Sequence, residues 1–150
     1  MGVRRWLVVA VVTVSTILVA RPTAAGGPYQ FYSITPCRLV DTRLPPGAPL
    51  LAGSTRNFQV AQLCGVPMTA GAAALNVTVV TPTGNGYVVV WPYNTSMPGI
   101  STISVTTSLS ALANGCLVGL TTGSLNISAF YQAGGGSTTH LVVDVTGYYQ

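Results

Sequence analysis

Few side chains in this sequence can do acid–base or nucleophilic chemistry. Beyond residue 25 they are Asp41, Asp144, His140, Cys37, Cys64 and Cys116. General acid and base work needs groups with tunable pKa values, and glycoside hydrolysis needs two carboxyls flanking one bond. Asp41 and Asp144 are the only acidic side chains in the chain. Each has a simpler use. In an extended strand Asp41 and Arg43 share a face by the period of two, so structural ion pairs among Arg38, Asp41, Arg43 and Asp144 are expected. His140 starts the apolar run Leu141-Val142-Val143, as the first residue of a strand would. The stretch Ser137-Thr138-Thr139-His140 sets hydroxyls beside an imidazole without triad spacing, and there is no Gly-x-Ser-x-Gly elbow. Two isolated aspartates do not make a calcium site, the cysteines are too far apart in sequence for a zinc knuckle, and the Gly-rich stretches open no helix that would cradle phosphate. No catalytic residue, metal ligand or cofactor is expected. The remote enzymatic reading is a glycoside hydrolase using Asp41 and Asp144.

The elements that carry these residues begin with an export signal. Arg4-Arg5, the apolar run from Trp6 to Ala20, and Thr23-Ala24-Ala25 have its three-part layout, with cleavage expected after Ala25. The apolar run is about 15 residues against the roughly 20 that span a bilayer, and Arg21-Pro22 ends it, which disfavours an anchor. Arg4-Arg5 also leaves twin-arginine export open beside the general route. Residues 26–150 then carry Arg38, Arg43 and Arg56 against Asp41 and Asp144, for a net charge of +1. The basic pI of 9.3 belongs largely to the leader. With no basic patch, nucleic acid is not an expected partner, nor is a membrane once the leader is gone.

The chain contains no Lys and no Glu, where an ordinary soluble domain is about 25% charged. It is nonetheless rich in β-branched and aromatic residues, which disordered chains lack. Apolar residues alternate with small polar ones between Gly, Pro and Asn, which is strand patterning. Strands are expected at 29–34, 38–42, 56–62, 75–80, 87–91, 101–107, 116–120, 125–131 and 140–148. About nine short strands in one domain, residues 26–150, predict an all-β sandwich or jelly-roll-like barrel. Two hairpins are expected. One joins 75–80 to 87–91 through Thr83-Gly84-Asn85-Gly86, whose Asn-Gly suits a primed turn. The other joins 116–120 to 125–131 through Thr122-Gly123-Ser124. The loops at 44–49 and at Gly134-Gly135-Gly136 are too short to separate domains.

Three cysteines in an exported segment predict one disulfide and one odd thiol, and spacing alone does not choose the pair. The aromatics offer a second possibility, a sugar-stacking surface at Trp91 and Tyr93, beside the commoner use of strand aromatics in packing.

The segments Thr35-Pro36-Cys37-Arg38-Leu39-Val40-Asp41-Thr42-Arg43, Cys64-Gly65-Val66-Pro67, Leu75-Asn76-Val77-Thr78-Val79-Val80 and His140-Leu141-Val142-Val143-Asp144-Val145-Thr146-Gly147-Tyr148-Tyr149 resemble a family of secreted bacterial β modules, often found in large cell-surface proteins. The resemblance covers most of residues 26–150. It implies an extracellular or cell-surface location, a non-catalytic role, and a disulfide between Cys37 and Cys64. A loop of about 28 residues closed in this way restricts the unfolded chain by roughly 3.6 kcal/mol. Cys116 departs from the pattern, and is expected to be a buried thiol or an intermolecular disulfide.

Natural sheets guard their edges with Lys and other charges, and this chain has no Lys. The expectation is a self-assembling subunit of a filament or surface layer. The segment 26–34, with Tyr29, Phe31, Tyr32 and Ile34, would add as a strand to a neighbouring copy. The alternative is a carbohydrate- or cell-wall-binding module.

Overall fold

The computed structural model describes residues 28–121 and 126–150. The expected export signal, residues 1–25, and the expected bend at Thr122-Gly123-Ser124 lie outside them. Among the described residues there are nine strands and no helix: β1 (Phe31–Asp41), β2 (Leu50–Leu51), β3 (Thr55–Gln59), β4 (Ala72–Val80), β5 (Gly86–Pro92), β6 (Ile103–Val105), β7 (Ala111–Gly119), β8 (Asn126–Ala133) and β9 (Thr138–Tyr149). They form two antiparallel sheets. The first runs β1-β9-β4-β7, with β2 also paired to β9, and the second runs β3-β8-β5-β6.

The alternation that predicts strands is the alternation that builds the core. Along β4, Ala73, Leu75, Val77 and Val79 are buried while their neighbours are half-buried. On β9, Leu141, Val143 and Val145 are buried, and Val142 between them is buried as well. The buried β4 residues together with Leu141, Val143 and Val145 meet Val88, Val90, Ile103, Ile127, Ala129 and Tyr131 of the second sheet in one cluster. The fold is therefore an all-β, sandwich-like domain, with each sheet turning one face inward.

Both expected hairpins are replaced by crossings between sheets. β4 and β5 are consecutive but lie in opposite sheets, as do β7 and β8. Neither Asn85 nor Gly86 takes the positive φ that a primed turn requires; Thr81 does, at 46°. The connection is an arch fixed by long-range bonds. Thr83 N–H donates to Thr138 O (2.9 Å), and Thr107 N–H donates to Asn85 Oδ1 (2.9 Å). Tyr131 Oη donates to Gly84 O (2.6 Å). The physical reason is burial: both strands carry valines for a common core, and facing sheets bury them against each other where a hairpin would set them side by side. Gly86 is obligatory for another reason, because a Cβ there would collide with the backbone oxygen of Gln132 on β8.

Other boundaries differ in smaller ways. The expected strands at 29–34 and 38–42 are one strand, β1, with register irregularities between Ser33 and Cys37 and between Arg38 and Val40. β7 begins five residues before the expected start at Cys116.

Candidate functional site

The charged residues converge on β1 and β9. Arg38 lies opposite Asp144 in the register of these strands, and its Nε donates to Asp144 Oδ1 at 2.8 Å. Its Nη1 reaches Asp41 Oδ2 at 3.4 Å. Arg43 takes Asp41 from the other side, through Nε to Oδ1 (2.8 Å), Nη2 to Oδ2 (2.6 Å) and its backbone N–H to Oδ1 (3.1 Å). The Arg43 side-chain hydrogen bonds lead in holding the Asp41 carboxyl well below the usual carboxylate range. Asp144 likewise raises the Arg38 guanidinium pKa, chiefly through its hydrogen bond. A carboxyl so held stays ionised, the opposite of the raised pKa that a general acid needs. His140 Nδ1 lies 3.2 Å from Thr42 Oγ1, and that oxygen accepts the Leu141 N–H at 2.9 Å. Thr42 and His140 thus tie the end of β1 to β9. Among the described residues, no three His, Cys, Asp or Glu side chains come together to hold a metal ion.

The Asp41 cluster has a consequence for pH. A carboxylate whose pKa is lower folded than unfolded stabilises the fold above its unfolded value, and that contribution is lost as pH falls through the folded value. Unfolding midpoints of the wild type should hold steady above about pH 5 and decline below about pH 4. In Asp41→Asn the decline should be shallower, which thermal melts between pH 2 and 7 will measure.

Cys37 and Cys64 form a disulfide, with Cα atoms 5.8 Å apart. It fastens β1 to the loop after β3, and so ties the first sheet's edge to the second sheet. Cys116 is a free, half-buried thiol, whose pKa is pushed up by burial.

The proposed sugar-stacking pair does not form a platform. Trp91 is 7% exposed and its indole N–H donates to Thr95 O at 3.1 Å, while Tyr93 is half-buried. β5 is buried on both faces from Val88 to Trp91, and the continuous apolar run Val88-Val89-Val90-Trp91 is the sequence signal for that. Exposed aromatics lie instead where the chain enters β1. Phe31 packs on Tyr149 with ring centroids 5.1 Å apart, and Tyr32 stacks on Tyr148 at 5.2 Å. Tyr29 lies over Gly71, where a Cβ would stand 2.6 Å from its ring. Phe31 and Tyr32 pair with Tyr149 and Tyr148 of β9, and the Gln30 N–H donates to Gln150 O at 2.9 Å. Residues 30–33 of the segment expected to add to a neighbour are therefore paired within their own sheet.

The four outermost strands differ in how they meet solvent. β1 carries Pro36, Arg38, two irregularities and the disulfide. β3 is five residues long, and Arg56 on it bonds to Ala48 O of the loop before β2 and lies over the Phe58 ring. β6 has three residues. β7 has nine, with no charge, no proline and no register shift, and Ala111 to Gly115 are all exposed. Among the described residues only β4 pairs with it. Each of the first three edges has a device that discourages further pairing, and β7 has none.

Hydrogen bonds just beyond the two ends of β7 set its phase. Leu120 N–H donates to Gly71 O (2.8 Å), and Thr81 N–H donates to Ser110 O (2.9 Å). In an antiparallel ladder, hydrogen-bonded pairs recur at every second residue. Leu112, Asn114, Cys116 and Val118 therefore turn their main-chain groups toward β4. Ala111, Ala113, Gly115 and Leu117 turn theirs to the open side. A Cβ added to Gly115 would meet nothing.

Comparison with protein-family models, with curated proteins and with solved structures returned no match.

Proposed function

We propose that the chain is an exported, non-catalytic structural subunit that self-associates at the cell exterior, with β7 as its adhesive edge. The observation that carries this reading is the nine-residue β7, which lacks the protective features of the other three edges. A long, flat, uncharged edge is a template for strand addition. The disulfide and the absence of a membrane-spanning helix among the described residues are compatible with an extracellular setting. Support for a non-catalytic role comes from Asp41 and Asp144, both committed to arginines. Phe31 and Tyr32 pair with β9, Tyr29 lies over Gly71 and Ile34 packs against the core, which favours β7 over the N-terminal segment as the contact. A filament or surface layer would use this edge together with a second contact.

Light scattering after size exclusion, with negative-stain imaging, tests the reading on residues 26–150. The wild type should run as a dimer or larger. Ala113→Lys/Leu117→Lys places charge along the open edge at two exposed positions, and should weaken association more than tenfold. Its melting temperature should stay within about 2 °C, because surface changes alter stability by about 0.5 kcal/mol or less. A monomeric wild type at all concentrations would refute the proposal.

A further inference from the structure

We infer that two copies join through β7 in an antiparallel, two-fold pairing with Asn114 on the axis, making one continuous sheet across both first sheets. This inference rests on the self-association reading and adds the partner's identity, direction and register. The phase of β7 fixes which of its main-chain groups a partner can reach. Its outward main-chain groups belong to Ala111, Ala113, Gly115 and Leu117, so a second strand must hydrogen-bond to these odd positions. In a two-fold antiparallel pairing each odd residue must then face an odd residue. An axis at Asn114 sets Ala111 against the partner's Leu117 and Ala113 against the partner's Gly115. All four exposed outward residues are used.

Moving the axis to Gly115 or Cys116 draws Gly119 into the joint. That position is half-buried, and a Cβ there would lie 3.5 Å from Pro92 of β5. Gly119 is thus covered by β5 on one face, and just beyond it Thr121 Oγ1 donates to Tyr93 O at 3.1 Å, so the register that stops at Leu117 keeps the joint on the exposed part of β7. The strand's neutrality also favours a copy of itself over a charged partner, since a two-fold axis brings like residues together and no like charges meet here. Asn114, on the axis, donates from Nδ2 to Thr102 O at 2.7 Å, so its side chain is held inward and away from the joint.

The register makes a specific claim about cross-links. Asn114 faces itself and Leu112 faces the partner's Cys116, both at non-hydrogen-bonded sites, where Cα atoms stand about 4.5 Å apart. That separation lies within the range a disulfide bridges. Under oxidised glutathione, Asn114→Cys/Cys116→Ser should form a covalent dimer as the main product. Leu112→Cys with Cys116 intact should also form one, and this second variant keeps the Asn114 to Thr102 bond. Ser104→Cys/Cys116→Ser, with its thiol on β6, should stay uncross-linked. If both β7 variants remain uncross-linked while light scattering still reports a dimer, the register is wrong and the self-association reading stands. Rapid cross-linking of the wild type through Cys116 would also overturn the register, by moving the axis to that residue. A monomeric wild type would overturn both.

Discussion

Tyr131→Ala is expected to destabilise the domain by about 3–5 kcal/mol, the usual range for removing a large buried aromatic ring. Among the described residues Tyr131 is the largest fully buried side chain. It stands on β8 opposite Val88 of β5, and its hydroxyl donates to Gly84 O in the arch that carries the chain from one sheet to the other. Its backbone carbonyl accepts the Gly53 N–H at 2.8 Å. One residue therefore fills the core, holds the arch and fixes the turn before β3. Tyr131→Phe separates these roles, because it keeps the ring and leaves the Gly84 carbonyl without its donor. That loss should come to about 1–3 kcal/mol. Urea unfolding gives both values, and hydrogen exchange across residues 81–86 should accelerate in Tyr131→Phe while the strands stay protected. Equal losses for the two variants would mean that the hydroxyl, and not the ring, dominates.

The strands themselves were legible because β4 buries alternate residues and β9 carries a run of β-branched residues, and such patterns are visible without knowledge of the partner. Their destinations were not. Asn85-Gly86 has the composition of a tight turn, but composition acts over four residues, whereas the arch is set by Thr138, Thr107 and Tyr131 from distant parts of the chain. The ion pairs of Arg38, Asp41, Arg43 and Asp144 were readable in part, since Asp41 and Arg43 are local while Asp144 is brought to Arg38 by strand register. β7 was the hardest to see. Its first half, Ala111-Leu112-Ala113-Asn114-Gly115, shows no alternation because both of its faces are exposed, and a strand that buries nothing leaves no hydrophobic period. The feature that makes it a candidate interface hides it from pattern reading. The signal that remained was negative, a nine-residue stretch without charge or proline.

Charge is also distributed with a sense in this molecule. Of the five charged side chains beyond residue 25, Arg38, Asp41, Arg43 and Asp144 are gathered around the β1 edge and Arg56 lies on the β3 edge. β4, β5, β6, β7 and β8 carry none. The protected side of the sandwich is therefore the side of β1 and β3, and the open side is that of β7. If β7 is the adhesive edge proposed above, a molecule arranged in this way adheres on that side while β1 covers the opposite edge of the first sheet.

Loss of the Cys37–Cys64 bridge should release that restraint as well as destabilise the fold. The cysteines are 27 residues apart in sequence, and in the loop-entropy account such a closure is worth about 3.6 kcal/mol. Cys37→Ser/Cys64→Ser should then melt roughly 10–18 °C lower, at the few degrees per kcal/mol typical of a domain this size. The effect should also differ in kind from that of Tyr131→Ala. Cys37 lies between the two irregular stretches of β1, where the ladder to β9 is weakest, so the bridge supports the strand where its hydrogen bonds do least. Without it the N-terminal part of β1 keeps only its pairing with the end of β9 and its aromatic contacts with Tyr148 and Tyr149. Opening of that strand exposes a second edge on the side opposite β7, and a molecule with two open edges propagates where one with a single edge closes into a dimer. The double serine variant should therefore form species larger than dimers well below its melting temperature, whereas Tyr131→Ala at matched stability should not. Light scattering of the two at equal free energy of unfolding decides the matter: identical behaviour would show that lost stability alone drives the growth, and that the bridge has no separate role in guarding β1.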